Sequence, residues 1–230
     1  MKLRIIGLIL FGLLIATQPT QAAFGGFRVS GIFGLQYLKG RHWYTGGPGS
    51  PSNDAVARLG VISSLFGASA GYLFELGPSK IVLGAEIYGF LPQANPNLSL
   101  KLLNGSPEGS VSVKHNRSVG YVLTAGMMFN PKVMAYLSAG LESARYEFTY
   151  NFLASPGISP PLLPKQKLNH IFKAIMVGVG ATYKVAPHLL VGLEASAPFF
   201  KRFKARSNPP RAFHYKPVEW RLALKLSYLF

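Results

Sequence analysis

Acidic side chains are scarce in this 230-residue chain, Asp+Glu 8 against Lys+Arg 24, so their positions are informative. Three of them recur in one local pattern: Gly84-Ala85-Glu86, Gly140-Leu141-Glu142 and Gly192-Leu193-Glu194. Residues two apart share a face of an extended strand, so each triplet puts Gly and Glu on one side and an apolar residue on the other. A fourth acid, Glu219, alternates with Arg221 and Lys225 near the C-terminus. Carboxylates and cations sharing one enclosed face can form an ionic network, or they can line a path for protons or small ions. A second concentration is purely basic. Lys201, Arg202, Lys204, Arg206, Arg211 and Lys216 occur with no acid between residues 200 and 218, a pattern suited to polyanions.

Other chemistries find little support. The chain has no Cys, which excludes disulfides, zinc ribbons and thiol catalysis. The five His are scattered and no two share metal-ligand spacing. A Ser two residues beyond a His would put a nucleophile beside a base on one strand face. Those positions hold Arg117 after His115, Phe172 after His170 and Lys216 after His214. No catalytic residue, metal or cofactor is therefore expected.

The elements that position these groups begin with an export signal. Lys2 and Arg4 precede the apolar run Ile5 to Ala16, and Thr20-Gln21-Ala22 offers small residues where a signal peptidase cuts. The run has 12 residues, too few for the roughly 20 that a membrane-spanning helix needs. Residues 1–22 thus read as a cleavable signal peptide and 23–230 as the mature domain. A net charge of +16 would suggest nucleic acid as a partner in the cytosol; export removes that partner.

The mature chain alternates with a period of two. From Glu219 to Phe230 one face carries Trp220, Leu222, Leu224, Leu226, Tyr228 and Phe230, and the other Glu219, Arg221, Ala223, Lys225, Ser227 and Leu229. Similar alternation runs through Arg28–Lys39, Asn116–Phe129, Val133–Ser143 and Val177–Tyr183, with large apolar residues on one face and Gly, small polar groups and isolated charges on the other. A soluble sandwich turns its large side chains inward; a membrane barrel turns them outward. Tight turns at Gly77-Pro78-Ser79-Lys80, Asn130-Pro131-Lys132 and Ala186-Pro187-His188 alternate with long polar segments near 40–57, 91–114, 150–169 and 200–214. The fold expected is all-β: an eight-stranded antiparallel transmembrane β-barrel of the outer-membrane type. Its strands are expected near 27–41, 58–75, 81–91, 115–129, 133–149, 170–184, 188–199 and 215–230. Within 58–75 the alternation slips, because Leu59, Val61 and Leu65 oppose Ile62, Phe66 and Tyr72; a bulge at Gly60 or Gly67 would reset the phase. Trp43, Tyr44, Tyr72, Tyr88, Trp220 and Tyr228 are expected in aromatic belts at the two interfaces.

The signal peptide, the Gly71-Tyr72-Leu73-Phe74 segment, the Gly-x-Glu strands and the ending Leu224-x-Leu226-x-Tyr228-x-Phe230 together resemble the small eight-stranded outer-membrane barrels related to OmpA, OmpX and the neisserial opacity proteins. The resemblance is one of architecture over residues 24–230. It implies that Leu226, Tyr228 and Phe230 form the C-terminal signal read by the barrel-assembly machinery. It also implies a lumen network, as in OmpA, here built from Glu86, Glu142, Glu194, Glu219, Arg221 and Lys225. Some small barrels modify lipid A, and the deacylases among them place His and Ser two residues apart, followed by a Glu; that spacing is missing here.

Together these features give an expectation of a non-enzymatic monomer in the Gram-negative outer membrane, with lipopolysaccharide and membrane lipid around it. It would act through its basic surface loops as a surface antigen, an adhesin for a polyanionic host ligand or an envelope-integrity protein. The alternatives are a narrow pore for ions or small solutes and a lipid A-modifying enzyme.

Overall fold

A computed structural model describes residues 24–45, 55–93, 97–101, 107–152, 166–207 and 211–230; at 41–45, 55–59, 78, 97–101, 107–111, 150–152, 166, 204–207 and 211–214 it describes the backbone alone. The expected signal peptide, 1–22, lies outside the described residues. The strands are β1 (Gly26–Thr45), β2 (Ala55–Glu75), β3 (Ile81–Pro92), β4 (Asn97–Lys101), β5 (Pro107–Asn130), β6 (Val133–Phe152), β7 (Gln166–Ala186), β8 (Leu189–Phe200), β9 (Phe203–Ser207) and β10 (Arg211–Leu229).

Neighbours run β1-β2-β3-β5-β6-β7-β8-β10, all antiparallel, and β10 pairs back onto β1 from Arg28↔Leu229 to Thr45↔Ala212. The sheet is a closed barrel with eight walls. Short β4 and β9 pair with β5 and β10 and continue the walls begun by β3 and β8. Apart from β4 and β9, which pair on one side only, closure leaves no edge strand, which is what allows a sheet to stand in lipid.

The faces are those of a membrane protein. Ile62, Leu137 and Phe230 are 68%, 66% and 67% exposed, while Glu86, Glu142, Glu219 and Arg221 are 5% exposed or less. Burying charge while exposing apolar groups is stable only where the exterior is hydrocarbon, so the barrel resides in the outer membrane. The three tight turns fall at one end. Gly77 (φ 50) and Lys80 (φ 58) take up the left-handed conformation that the first requires. In the second, the Lys132 backbone N–H donates to Asn130 Oδ1 (2.8 Å).

The strands outgrow the membrane. A tilted transmembrane strand needs about 9–11 residues, yet β5 has 24 and β2 and β7 have 21. Segments 91–114 and 200–214, expected to be loops, contain β4, β9 and the first residues of β5 and β10. Above the lipid a hairpin ladder is held by backbone hydrogen bonds, so its exposed side chains no longer need to alternate.

Two other expectations are corrected. The register between β1 and β2 is unbroken from Gly26↔Leu73 to Tyr44↔Ala55, with no bulge at Gly60 or Gly67. Leu65 and Leu73 instead point inward and are fully buried, because the lumen includes apolar layers as well as polar ones. Tyr88 also points inward, on the face of Glu86, and does not join an interfacial belt. Trp220 and Tyr228 do face outward; the side chains of Trp43 and Tyr44 lie outside the described residues.

The ladder is interrupted before each short strand: β5 leaves β3 at Ser118↔Phe90 and meets β4 at Ser112↔Asn97. Pairing of β8 with β10 stops at Arg221↔Ser196 and resumes, with β9, at Tyr215↔Phe203. Pro198 and Pro217, which have no N–H to donate, lie in that interval.

Inward glycines make room for the tyrosines. A Cβ on Gly180 would lie 2.5 Å from the Tyr136 ring, and one on Gly120 would lie 2.5 Å from the Tyr88 hydroxyl. Gly180→Val should therefore displace Tyr136 and cost roughly 1–3 kcal/mol by overpacking. Urea titration of the folded, heat-modifiable band on gels measures this; an unchanged midpoint would contradict the packing described.

Candidate functional site: a braced lumen and a basic rim

The six acidic and basic residues singled out in the sequence all lie inside the barrel and are at most 6% exposed. Period two puts them there, and their positions on different walls let them bridge the lumen. They form two clusters. In the first, on the side of the tight turns, Lys225 Nζ donates to Glu86 Oε1 (3.0 Å) and contacts Glu194 Oε2 (2.9 Å). Arg28 pairs with the other oxygen of Glu86, and Tyr136 Oη donates to Glu194 Oε2 (2.9 Å). Two cations balance two carboxylates.

In the second cluster Arg221 grips Glu142 with two parallel bonds, Nη1 to Oε2 and Nη2 to Oε1, both 2.6 Å. Its Nε donates to Glu219 Oε1 at 2.5 Å. Planar, two-point pairing of this kind is the strongest ion-pair geometry a protein offers. Tyr88 Oη donates to Glu142 Oε2 and Tyr146 Oη to Glu219 Oε2, each at 2.9 Å. The guanidinium carbon also lies 4.9 Å from the centre of the Phe90 ring. Here one cation faces two carboxylates, and His115 Nδ1 lies 3.6 Å from Glu219 Oε2.

Apolar layers separate and cap the clusters. Toward the tight turns, Phe24, Leu73, Val82, Met134, Leu190 and Leu229 pack together. A middle layer contains Ile32, Leu65, Val122 and Met176. Toward the long loops Tyr146, Phe148, Phe172, Phe200 and Tyr215 form an aromatic layer. Tyr146 meets Phe172 edge-on at 5.2 Å, and Phe148 meets Tyr215 likewise at 5.1 Å. An eight-stranded barrel has just enough interior for its own side chains, and here they occupy it.

Some partners were not identified from sequence. Arg28 shares its face with Ser30 and Gln36, so the alternation was a usable signal. Tyr146 lies two positions beyond Ala144 on the inward face of β6, but nothing local marks it as the partner of Glu219. His115 is the clearest case. The register of β5 against β6 shifts between His115 and Arg117, and this brings Ser118 onto the His115 face. His115 Nε2 then lies 2.9 Å from Ser118 Oγ, and Nδ1 3.0 Å from the Gln36 amide nitrogen. A two-residue spacing rule cannot find such a pair. In this amide orientation Gln36 donates to Nδ1, so the ring proton is on Nε2 and is donated to Ser118, the reverse of serine activation. Both His115 and Ser118 are fully buried.

Outside, Lys201, Arg202 and Lys216 are exposed at the long-loop end of the wall. Lys204, Arg206 and Arg211 are placed by their backbone in β9 and β10; their side chains lie outside the described residues. Glu147 interacts with Lys167 at 3.0 Å, and that hydrogen bond holds its carboxyl below its ordinary pKa. Leu226, Tyr228 and Phe230 face the lipid, with Tyr228 and Phe230 edge-to-face at 4.9 Å.

No family model matches the chain, and no curated protein does. Solved structures do. OprG from Pseudomonas aeruginosa is 10% identical, with 90% of this chain and 96% of that one covered and a TM-score of 0.56. Neisserial surface protein A is 13% identical over 89% and 97%, with a TM-score of 0.49. Outer membrane protease OmpT from Escherichia coli is 12% identical over 94% and 100%, with a TM-score of 0.48. At these identities the likeness to OprG shows the small outer-membrane barrel fold, and nothing about activity follows from it.

Removing one partner of a buried ion pair typically costs about 3–5 kcal/mol, because the other charge is left alone. Arg221→Met should lower barrel stability by about that amount. Arg221→Met combined with Glu142→Met and Glu219→Leu should recover most of the loss. Urea midpoints of the heat-modifiable band test both; equal stability of wild type and Arg221→Met would contradict the bracing role.

Proposed function

We propose that this protein is a non-enzymatic, monomeric outer-membrane barrel that acts at the cell surface, through basic loops that engage polyanions. The observation that carries this reading is the division of labour between inside and outside. Inside, the described charges are paired across the lumen between apolar layers, which leaves little for a solute to pass through. Outside, Lys39, Arg117, Arg145, Lys173, Lys201, Arg202 and Lys216 are exposed on the long-loop half. The burial of His115 and Ser118 supports the non-enzymatic part, since a nucleophile needs room for a substrate beside it.

Residues 1–22 would direct export, and the lipid-facing Leu226, Tyr228 and Phe230 would then be read by the barrel-assembly machinery. In the assembled membrane the rim cations lie level with anionic lipopolysaccharide, and beyond it they reach sulfated or phosphorylated ligands. Adhesion to such a ligand is the specific form of the proposal, and Lys204, Arg206 and Arg211 would carry it.

Heparin-agarose retention of the detergent-purified protein tests this. Wild type should bind and elute with salt, and Lys204→Gln/Arg206→Gln/Arg211→Gln should bind at least about tenfold more weakly, at about 1 kcal/mol per cation near an anionic surface. Unchanged retention of the triple variant, or no retention of wild type, would overturn the reading.

A further inference from the structure

The registers of β5, β6, β7 and β8 align outward residues in rows around the wall. Arg117 on β5 is directly opposite Arg145 on β6. The next row toward the membrane holds Val119, Ser143 and Lys173, and the row below holds Tyr121, Leu141, Ile175 and Phe199. Lys201 follows Phe200, which pairs with Ala174, so it stands beside Lys173. Small Ser143 between larger neighbours leaves a dip, and the surface there is a groove of about 680 Å³. Its walls include Tyr121, Leu141, Ile175 and Phe199, and Lys173 and Lys201 stand at its loop-side end.

Two features of this groove call for an anion. Like charges directly opposite each other on neighbouring strands are destabilising, yet Arg117 and Arg145 occupy such a pair and both are exposed. Among the described residues no carboxylate is in ion-pair contact with either; Glu147, two residues beyond Arg145, is bonded to Lys167 and reaches Arg145 only through space. Lys173 lies diagonally next to Arg145, about 7–8 Å away in such a sheet. Lys173 and Lys201 thus line the loop-side end of an apolar groove that faces lipid, and Arg117 and Arg145 stand one row beyond it.

We propose that this groove is a specific site for a bis-phosphorylated, multiply acylated glycolipid of the outer leaflet, the chemical class of lipid A. One phosphate would sit between Arg117 and Arg145 and the other between Lys173 and Lys201, and acyl chains would descend along Leu141, Ile175 and Phe199. Charge complementarity selects the headgroup. The position of the cations, at the long-loop end of the apolar belt, selects the outer leaflet. The proposal rests on the outer-membrane orientation with the long loops outside, and not on any activity of those loops.

Native mass spectrometry of the detergent-released protein, with added bisphosphoryl lipid A, monophosphoryl lipid A, phosphatidylglycerol or inorganic phosphate, tests it. Wild type should retain one bisphosphoryl lipid A in preference to the others. Lys173→Gln/Lys201→Gln and Arg117→Gln/Arg145→Gln should each reduce retention about tenfold. Lys39→Gln, on β1 and so across the barrel from β6, should leave it unchanged. Heat-modifiable mobility confirms that every variant is folded. Equal loss in the Lys39 variant would mean a diffuse basic rim and overturn the proposal. So would equal retention of phosphatidylglycerol, competition by inorganic phosphate alone, or unchanged binding in both groove variants.

Discussion

A carboxylate inside a closed, lipid-surrounded barrel has no bulk water to return to, so each one must find a partner among the inward side chains of other walls. That constraint organises this molecule. Four glutamates among the described residues are buried in the lumen, and each receives at least one cation: Glu86 from Arg28 and Lys225, Glu194 from Lys225, Glu142 and Glu219 from Arg221. Three of the four also accept a tyrosine hydroxyl. Several of these bonds join walls that are not neighbours, such as β10 with β3 and with β6. They brace the cross-section in a way the backbone ladder, which links only adjacent strands, does not.

Space imposes a second condition on the same residues. Tyrosine rings reach the glutamates only because the facing positions on neighbouring strands are glycine, as at Gly120 and Gly180. The glycines of the Gly-x-Glu triplets answer to other neighbours: a Cβ on Gly84 would meet the Leu73 side chain, one on Gly140 the backbone of β5, and one on Gly192 the Thr182 hydroxyl. The apolar layers close the clusters off from either end, and low local polarity strengthens every bond between them.

Much of this was legible in the sequence because a two-residue period survives wherever one face meets lipid. The C-terminal strand shows why: Trp220, Leu222, Leu224, Leu226, Tyr228 and Phe230 each face hydrocarbon, and any slip would put Arg221 or Lys225 there. Where one face no longer meets lipid, the signal weakens. β4, β9 and the tips of β5 and β10 stand in segments that look like polar loops, because above the membrane only backbone pairing is needed. The alternation of β2 was misleading for another reason: Leu65 and Leu73 belong to inner apolar layers, so both faces of that strand carry large residues. Pairings depended on contacts between distant walls and, at His115 and Ser118, on a single register shift, neither of which local spacing encodes. The basic clusters were visible as composition, but the two adjacent rows that hold Arg117, Arg145, Lys173 and Lys201 emerge only when four strands are set in register.

The central claim is that the lumen is a braced, sealed interior and that function lies on the outer surfaces. Single-channel recording in planar bilayers tests it most directly, using refolded wild type beside a variant whose aromatic layer is opened by Tyr146→Ala, Phe148→Ala and Phe172→Ala. The account predicts a silent wild type at either polarity. Steady unitary conductance of wild type, altered in size or ion preference by Glu142→Gln, would contradict it and make the ionic network the lining of a pore.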